Sequence, residues 1–280
     1  MTDNTNNSNA STKLILGGTG KTGRRVVRRL EERGVPVRVG SRSGEPPFDW
    51  KDRSTWKAVL DGVDAVYMAY YPDLTVPGAA EDIGAFGAAA VEAGADRVVL
   101  LSGRGEDEAK VAEQALKDAG AEWTVLRASW FAQNFSEDYL LDGVLAGEVA
   151  VPAGDVPEPF ADADDIADVA VAALTEDGHV GRTYEITGRR ALTFAEAVAE
   201  IAEASGRKIH FTSVPADGYA AALKEHGVPD EVSELLLYLF TTVLDGRNAR
   251  PADGVRRALG REPRDFADFA RDTAASGVWS

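Results

Sequence analysis

The chain has 280 residues, of which 44% are hydrophobic and 27% are charged, as in ordinary globular proteins. This length suits one large α/β unit with an added lobe, or two domains, and the composition excludes a disordered, collagen-like or fibrous chain. Aspartate and glutamate number 46 against 30 lysines and arginines, which gives a formal net charge of −16. Because such a chain repels phosphate backbones and anionic lipids, we expect neither nucleic acid nor membrane as a partner.

Side chains that form metal or redox centres are scarce. The chain has no cysteine and three histidines, which excludes disulfides, thiol nucleophiles and cysteine-based metal sites, and we expect no metal. Residues 1–12 are polar and lack the features of a secretory signal, and no apolar run approaches the roughly 18 residues of a membrane span. We therefore expect a disordered tail over 1–12 and a cytoplasmic protein, and we leave the oligomeric state open.

Strand and helix patterns alternate over the first half of the chain. The apolar spacing predicts strands over 14–16, 35–39, 65–69, 97–101 and 123–127, with helices after the first strand and over 56–60, 83–93 and 106–119. Such alternation is typical of a Rossmann-type α/β fold, a doubly wound parallel sheet with helices on both faces. We assign residues 13–150 to this domain.

The pattern becomes less regular after residue 127. We predict helices over 130–145, 165–174 and 194–204, strands over 183–186 and 209–212, and mostly helix from 215 onward. Thr193 and Glu196 have the spacing of a capping box at the start of the third of these helices. Residues 151–280 are therefore expected to complete the sheet and to form a small, mostly helical substrate lobe.

The strongest motif lies directly after the first predicted strand. The sequence GGTGKTG contains G-x-G-x-x-G and opens a helix, which is the context of a dinucleotide-binding turn. Glycines allow the backbone to approach a diphosphate, and the N–H groups of the first helical turn bind the anion. The predicted cofactor-binding loop comprises Gly17, Gly18, Thr19, Gly20, Lys21, Thr22 and Gly23. A P-loop is excluded because Ile15 stands where that motif needs a glycine.

The end of the second strand indicates which dinucleotide binds. Ser41 and Arg42 stand about 20 positions beyond the glycines, where an acidic residue would select NAD. A hydroxyl and a guanidinium suit the 2′-phosphate of NADP(H) instead. Asp49 and Trp50 are candidates for contacts with the adenine, although Trp50 can equally be a core aromatic.

Ligands of open parallel sheets bind beyond the carboxyl ends of the strands. We therefore expect Ala69, Tyr70 and Ser102 to contact the cofactor. Many reductases with this architecture use a Tyr-x-x-x-Lys pair on the helix after the fourth strand. Lys110 stands at a plausible lysine position, but Glu106 replaces the tyrosine.

The incomplete pair leaves three alternatives. Tyr70 or Tyr71 donates a proton, or the substrate needs none, or the protein binds the nucleotide without catalysis. Hydride addition to a ketone creates an alkoxide and benefits from an acid, whereas addition to an iminium ion gives a neutral amine. A carboxylate such as Glu106 would attract that cation.

Several segments together resemble a known family. GGTGKTG at 17–23, VGSRS at 39–43 and LRASWFAQNFS at 126–136, with FAD at 160–162 and DIA at 165–167, resemble the NmrA-like branch of atypical short-chain dehydrogenases/reductases. Within it the chain most resembles the ergot-alkaloid reductases, the festuclavine/agroclavine dehydrogenase group. The likeness covers roughly residues 13–215.

The resemblance implies an NADPH-dependent oxidoreductase that transfers hydride to a small organic molecule, with a role in secondary metabolism. The acceptor would be an imine or iminium ion, a conjugated C=C bond, a quinone or a carbonyl, aromatic or cationic in character. The alternative is a redox-sensing regulator that binds NADP(H) without turnover. The resemblance places the pocket around Tyr70, Ser102, Trp130, Phe131 and Asn134. We predict that the substrate-binding residues are Tyr71, Trp130, Phe131 and Asn134.

Overall fold

The computed structural model describes residues 12–280. The tail predicted over 1–12 thus lies outside the described residues except for Thr12, which already belongs to the first strand. That strand begins two residues earlier than the sequence pattern predicts.

Within residues 12–280, eight strands form two sheets. They are β1 (Thr12–Leu16), β2 (Val37–Gly40), β3 (Val63–Met68), β4 (Arg97–Gly103), β5 (Glu122–Ala128), β6 (Glu148–Val151), β7 (Arg182–Ile186) and β8 (His210–Ser213). Six of them make one parallel sheet in the order β2-β1-β3-β4-β5-β7. The predicted Rossmann-type fold is confirmed, and the second half of the chain supplies its last strand. The strands β6 and β8 pair in parallel as a separate ribbon.

Helices cover both faces of the main sheet, and others pack with the ribbon of β6 and β8. They are α1 (Gly23–Glu32), α2 (Trp56–Leu60), α3 (Ala79–Glu92), α4 (Asp107–Asp118), α5 (Asn134–Glu137), α6 (Leu141–Ala146), α7 (Ala163–Thr175), α8 (Phe194–Ser205), α9 (Ala216–Glu225), α10 (Asp230–Tyr238), α11 (Gly254–Leu259) and α12 (Phe266–Ala275). A π-helical turn, Leu239–Val243, follows α10. Within residues 12–280, no helix has the length and apolar character needed to cross a bilayer.

Three buried clusters hold these layers together. One lies under α2, α3 and α4 and another under α1 and α7, on the two faces of the sheet. The third cluster lies among α5, α6, β6, α8, β8, α9, α10 and α12, and these elements together are called the lobe. In the lobe, Phe135, Phe160, Phe194 and Phe266 pack with ring centroids 5.1–5.9 Å apart. The predicted capping box at α8 is present, with Thr193 Oγ1 accepting from the Glu196 N–H at 3.1 Å.

The helix predicted over 130–145 is wrong in its extent. Residues 129–133 are irregular because Phe131 bridges to Ala161 and the side chain of Gln133 accepts the Ala163 N–H at 2.8 Å. These bonds replace the i to i−4 pattern, so only the short helices α5 and α6 remain. The segment directly follows β5 and so lies at the carboxyl edge of the sheet, the edge at which open parallel sheets bind ligands.

Candidate active site

The glycine-rich loop, residues 17–23, turns β1 tightly into α1. Gly17 has a φ of +71°, and a Cβ there would lie 3.1 Å from the Cβ of Ala69. A Cβ on Gly18 would lie 2.8 Å from Val39 Cγ1, and one on Gly23 would overlap the carbonyl oxygen of Gly17. The loop therefore needs these glycines. Ala69 lies beside the loop, and its contact with the cofactor stays a prediction.

The same loop presents free backbone donors. The Gly20 N–H closes the turn on Gly17 O at 2.9 Å, whereas the N–H groups of Lys21 and Thr22 donate to no protein oxygen within residues 12–280. Thr19 and Gly20 are exposed. Unpaired N–H groups at a helix N-terminus bind anions, so these residues fit a diphosphate. The Thr22 hydroxyl faces inward and accepts from Tyr67 at 2.9 Å, which leaves its backbone for the cofactor.

Ser41 and Arg42 follow β2, the strand next to the glycine-rich loop. The carbonyl oxygen of Ser41 accepts the Phe48 N–H at 2.8 Å, which folds the loop back on itself. Arg42 is exposed and pairs with no acidic side chain in the described part of the chain. Its guanidinium is therefore available to a phosphate beyond the ribose.

Lys21 connects the cofactor loop to the predicted substrate residues. Its Nζ donates to Asn134 Oδ1 at 2.8 Å, pairs with Asp138 and lies 5.6 Å from the ring centroid of Phe131. The structure thus brings together Lys21, Phe131 and Asn134, three residues that the sequence placed at two subsites.

Tyr70 and Trp50 lie together at the other end of the site. Their rings are 4.9 Å apart, and Trp50 also packs on Phe48 and Phe86. The Tyr70 hydroxyl donates to Asp82 at 2.8 Å and accepts from Lys51. Burial raises the pKa of the Tyr70 phenol, the Lys51 hydrogen bond opposes this, and Asp82 adds to it. A phenol bound in this way is a poor proton donor.

Asp49 shapes its own loop. Its side chain accepts the Lys51 N–H at 2.9 Å, and its carbonyl oxygen accepts from the Trp56 indole at 2.9 Å. The structure therefore gives Asp49 a local turn-forming role, and a contact with adenine stays a prediction.

Ser102 is buried beneath the site. Its hydroxyl donates to Glu113 Oε1 at 2.7 Å, and Arg127 donates to both oxygens of the same carboxylate at 2.8 and 2.7 Å. The serine predicted to contact the cofactor is thus bound to an ion pair between α4 and β5. Arg127 is a structural ion-pair partner, as its position at a strand end indicates.

Lys110 and Tyr71 are both at the surface. Lys110 pairs with Asp107 at 2.7 Å one turn earlier in α4, and its side chain is 51% exposed. Tyr71 is 75% exposed in the loop after β3. The structure does not bring these two residues together with Tyr70 as a proton-donor group.

Trp130 forms one wall of the lobe. It packs against Phe240 with centroids 4.6 Å apart and against Phe194 at 5.4 Å. Phe240 in turn contacts Tyr139 and Tyr219, at 6.5 and 5.5 Å. These rings belong to one buried cluster, which Trp130 joins to the end of β5. Two cavities of about 600 and 340 Å³ lie elsewhere, at the amino ends of the strands and beside the C-terminal residues.

Comparison with known proteins identifies the family. The family model described as NAD(P)H-binding matches residues 17–177, which begin at the glycine-rich loop. The chain belongs to the NAD(P)H-binding family. Its resemblance to NmrA-like short-chain dehydrogenases/reductases is confirmed, and it is an NAD(P)H-dependent oxidoreductase.

Individual relatives cover nearly the whole chain. An uncharacterized oxidoreductase, YesF, of Bacillus subtilis is 33% identical over 94% of this chain and 95% of its own. Festuclavine dehydrogenase of Aspergillus fumigatus is 32% identical over 94% of this chain and 98% of its own. The NADPH-dependent quinone oxidoreductase QOR2 of Escherichia coli, solved with NADPH, has the same fold, with a TM-score of 0.78, 22% identity and coverage of 93% and 99%.

The sequence analysis did not identify two acidic residues near the site, Glu158 and Asp73. Glu158 is 1% exposed, and its Oε1 has no partner in the described residues. Burial raises its pKa to about 7, although Ser129, the Trp130 N–H and Arg104 oppose the shift. Asp73, in the loop after β3, contacts Glu106. Both residues lie in loops, where no periodic pattern indicates burial.

Among the predicted catalytic residues, Glu106 is the buried one that has a side-chain oxygen without a hydrogen-bond partner in the described residues. It is 8% exposed, and its Oε2 finds no hydrogen-bond partner within residues 12–280. Burial raises its pKa well above the ordinary value, and the charges of Asp73 and Glu108 raise it further. Burial thus favours the neutral acid form of Glu106, whereas the sequence reasoning assumed a carboxylate.

Proposed function

We propose that this reductase transfers hydride from NADPH to a small, planar organic acceptor bound between the glycine-rich loop and the lobe. The contact of Lys21 with Asn134 and Phe131 is the observation that carries the proposal. Through this contact the glycine-rich loop lies beside an aromatic side chain and an amide that follow β5. A flat acceptor can stack on such rings. The acceptor classes are quinones, conjugated C=C or carbonyl compounds, and iminium ions.

The preference for NADPH is supported by the second strand. Arg42 is exposed at the end of β2 without an acidic partner in the described residues. A bound nicotinamide supplies the hydride, and this chain supplies the backbone donors, the guanidinium and the aromatic wall. The names of the relatives support the acceptor classes, since one is a festuclavine dehydrogenase and a protein of the same fold is a quinone oxidoreductase.

The test is turnover of a defined panel. We expect NADPH absorbance to fall with at least one member of a set of quinones, enones, cyclic iminium ions and cationic dyes, and NADH to be used less efficiently. Calorimetry with NADP⁺ serves as the binding control. Tight NADP⁺ binding with no consumption across the whole panel would contradict the proposal and favour the redox-sensing alternative.

A further inference from the structure

A buried carboxyl group lies above the end of β4. The Glu106 side chain occupies the space that a side chain on Gly103 would fill, so its carboxyl rests against the backbone at the strand end. The carboxyl is nine-tenths buried, and its Oε2 has no partner among residues 12–280. An unpaired buried oxygen is costly unless a ligand or a proton satisfies it.

A second carboxyl comes from the neighbouring strand. Asp73 lies in the loop after β3, which pairs with β4, and its carboxyl is close enough to that of Glu106 for each group to shift the pKa of the other. Two carboxyls this close disfavour each other's ionisation, which favours a proton on one of them. Asp73 Oδ1 accepts the Thr75 N–H at 2.9 Å, whereas Glu106 Oε2 receives no donor from the described residues. Glu106 is therefore the member of the pair that favours the proton.

The lobe covers this pair on one side. The Tyr238 hydroxyl donates to Glu108 Oε2 at 2.8 Å, and Asn248 Nδ2 donates to the carbonyl oxygen of Arg104 at 2.9 Å. Arg247 donates to Gly105 O at 3.1 Å. The loop 103–108 is thus where the sheet meets the lobe, on the strand edge that also carries the glycine-rich loop.

We propose that Glu106 is the proton donor of this reductase, that Asp73 is its proton-sharing partner, and that the site takes neutral conjugated carbonyl acceptors such as quinones and enones. The proposal rests on the proposed hydride transfer. NAD(P)H is the reductant, and its hydride bonds to one end of the conjugated system. The displaced electron pair collects on the carbonyl oxygen, which takes the Glu106 proton as that O–H bond breaks. Solvent returns a proton to the pair after product leaves.

The charged surroundings favour the protonated form of Glu106. Glu108 adds negative charge near Glu106, and the pKa of Tyr238 is raised by burial and by its hydrogen bond to Glu108, so that this phenol stays neutral. No lysine or arginine is among the groups that shift the pKa of Glu106. Burial without a compensating cation thus raises the pKa of Glu106 and favours the acid form that a donor to a newly formed enolate requires.

The experiment compares two acceptors in matched variants. A quinone consumes a hydride and a proton, whereas a preformed triarylmethyl cation consumes a hydride alone. We expect Glu106→Gln and Asp73→Asn to lower kcat with the quinone about 100-fold and to change kcat with the cation less than threefold. Asp107→Asn, the adjacent exposed carboxylate with the same charge change, is the control and should leave both rates unchanged.

A second measurement needs no turnover. The infrared difference spectrum between the cofactor-free wild type and Glu106→Gln at pH 7 should contain a protonated-carboxyl band, and the difference between the wild type and Asp107→Asn should lack it; Glu158, whose pKa is about 7, is common to all three proteins and cancels. Absence of the band from the Glu106→Gln difference spectrum overturns the proposal, as does an equal fall of both rates in Glu106→Gln. If the wild type reduces neither acceptor, the proposed function itself fails. If it reduces both and Glu106→Gln changes neither rate, only the role of Glu106 fails.

Discussion

Lys21 Nζ donates a 2.8 Å hydrogen bond to Asn134 Oδ1 across 113 positions of sequence. The next residues reinforce the link, since Arg25 binds Glu137 Oε1 at 2.6 Å. The helix that follows the glycine-rich loop is thereby joined to the short helix α5 at the entrance of the lobe. Side-chain hydrogen bonds thus join the predicted cofactor subsite to the predicted substrate subsite.

This link should be measurable as an energetic coupling. In a double-mutant cycle of Lys21→Met and Asn134→Ala, we expect a coupling in the free energy of unfolding of about 1–2 kcal/mol, because a partly buried bond to a charged group is lost. Chemical denaturation of the four proteins measures it. The exposed Gln114–Asp118 pair on α4 is the control and should couple by less than about 0.5 kcal/mol. Strict additivity for Lys21 and Asn134 would contradict the link.

Arg42 should determine the choice of cofactor. We expect Arg42→Ala to weaken NADPH binding at least tenfold and to leave NADH binding within twofold, because only the 2′-phosphate meets the guanidinium. Calorimetric titration with both nucleotides gives the two affinities. Arg271→Ala removes an equally exposed arginine far along the chain, on α12, and controls for net charge. A parallel loss of NADPH and NADH affinity would point to a structural effect instead.

The glycine-rich loop should not tolerate a single added methyl group. A Cβ on Gly23 would overlap the Gly17 carbonyl oxygen, and backbone cannot rotate away as a side chain can. We expect Gly23→Ala to lower the free energy of unfolding by about 2 kcal/mol and to abolish detectable NADP⁺ binding. Gly218→Ala on α9 is the control, since nothing lies within 4 Å of its Cβ position. That variant should be as stable as the wild type or up to about 1 kcal/mol more stable.

Periodic segments of this chain could be predicted from sequence, because their apolar spacing reflects burial on a sheet or helix face. The glycine-rich loop and the strand containing Val37 and Val39 are examples, and both lie where their patterns predict. The ribbon strand β6 was missed, because its four residues pair only with distant β8. The prediction of one helix from Trp130 onward was wrong, because the side chain of Gln133 forms hydrogen bonds with Asp162 and the Ala163 N–H in place of a continuous helical pattern.

The candidate site was predictable in its cofactor half and less so in its catalytic half. Gly17 to Gly23 and Arg42 follow from local geometry and position after a strand. The contact between Asp73 and Glu106 joins two loops 33 positions apart in sequence, and no local pattern encodes it. The hydroxyl of Ser102 turns toward Glu113 because that buried carboxylate needs donors, which a strand pattern does not show.

A Ser102 variant tests whether its hydroxyl stabilises the buried Glu113 or contacts the cofactor. We expect Ser102→Ala to lower the free energy of unfolding by about 1 kcal/mol, since Glu113 loses one donor but keeps two bonds from Arg127. The affinity for NADP⁺ should stay within twofold, because the hydroxyl is engaged beneath the site. Thermal unfolding and calorimetry on the same samples provide both values. A tenfold loss of affinity without loss of stability would restore the cofactor contact that the sequence predicted.

Glu158 should make the stability of this reductase depend on pH. Its pKa is about 7 in the folded protein against 4.5 for an ordinary glutamate, chiefly because burial disfavours the charged form. Between these two values the folded state binds more protons than the unfolded state, so the free energy of unfolding falls as pH rises from about 4.5 to about 7. The full effect, reached above pH 7, is of the order of 3 kcal/mol. Glu106 contributes a trend of the same sign.

The Glu158→Gln variant isolates this contribution, because the amide cannot ionise. We expect the variant to be more stable than the wild type at pH 8 by up to about 3 kcal/mol and to differ from it much less at pH 5. Urea unfolding at half-unit pH steps gives the two curves, and Glu92→Gln, an exposed glutamate at the end of α3, should run parallel to the wild type. A constant offset between Glu158→Gln and the wild type at every pH would mean that packing, and not ionisation of the buried carboxyl, determines the effect.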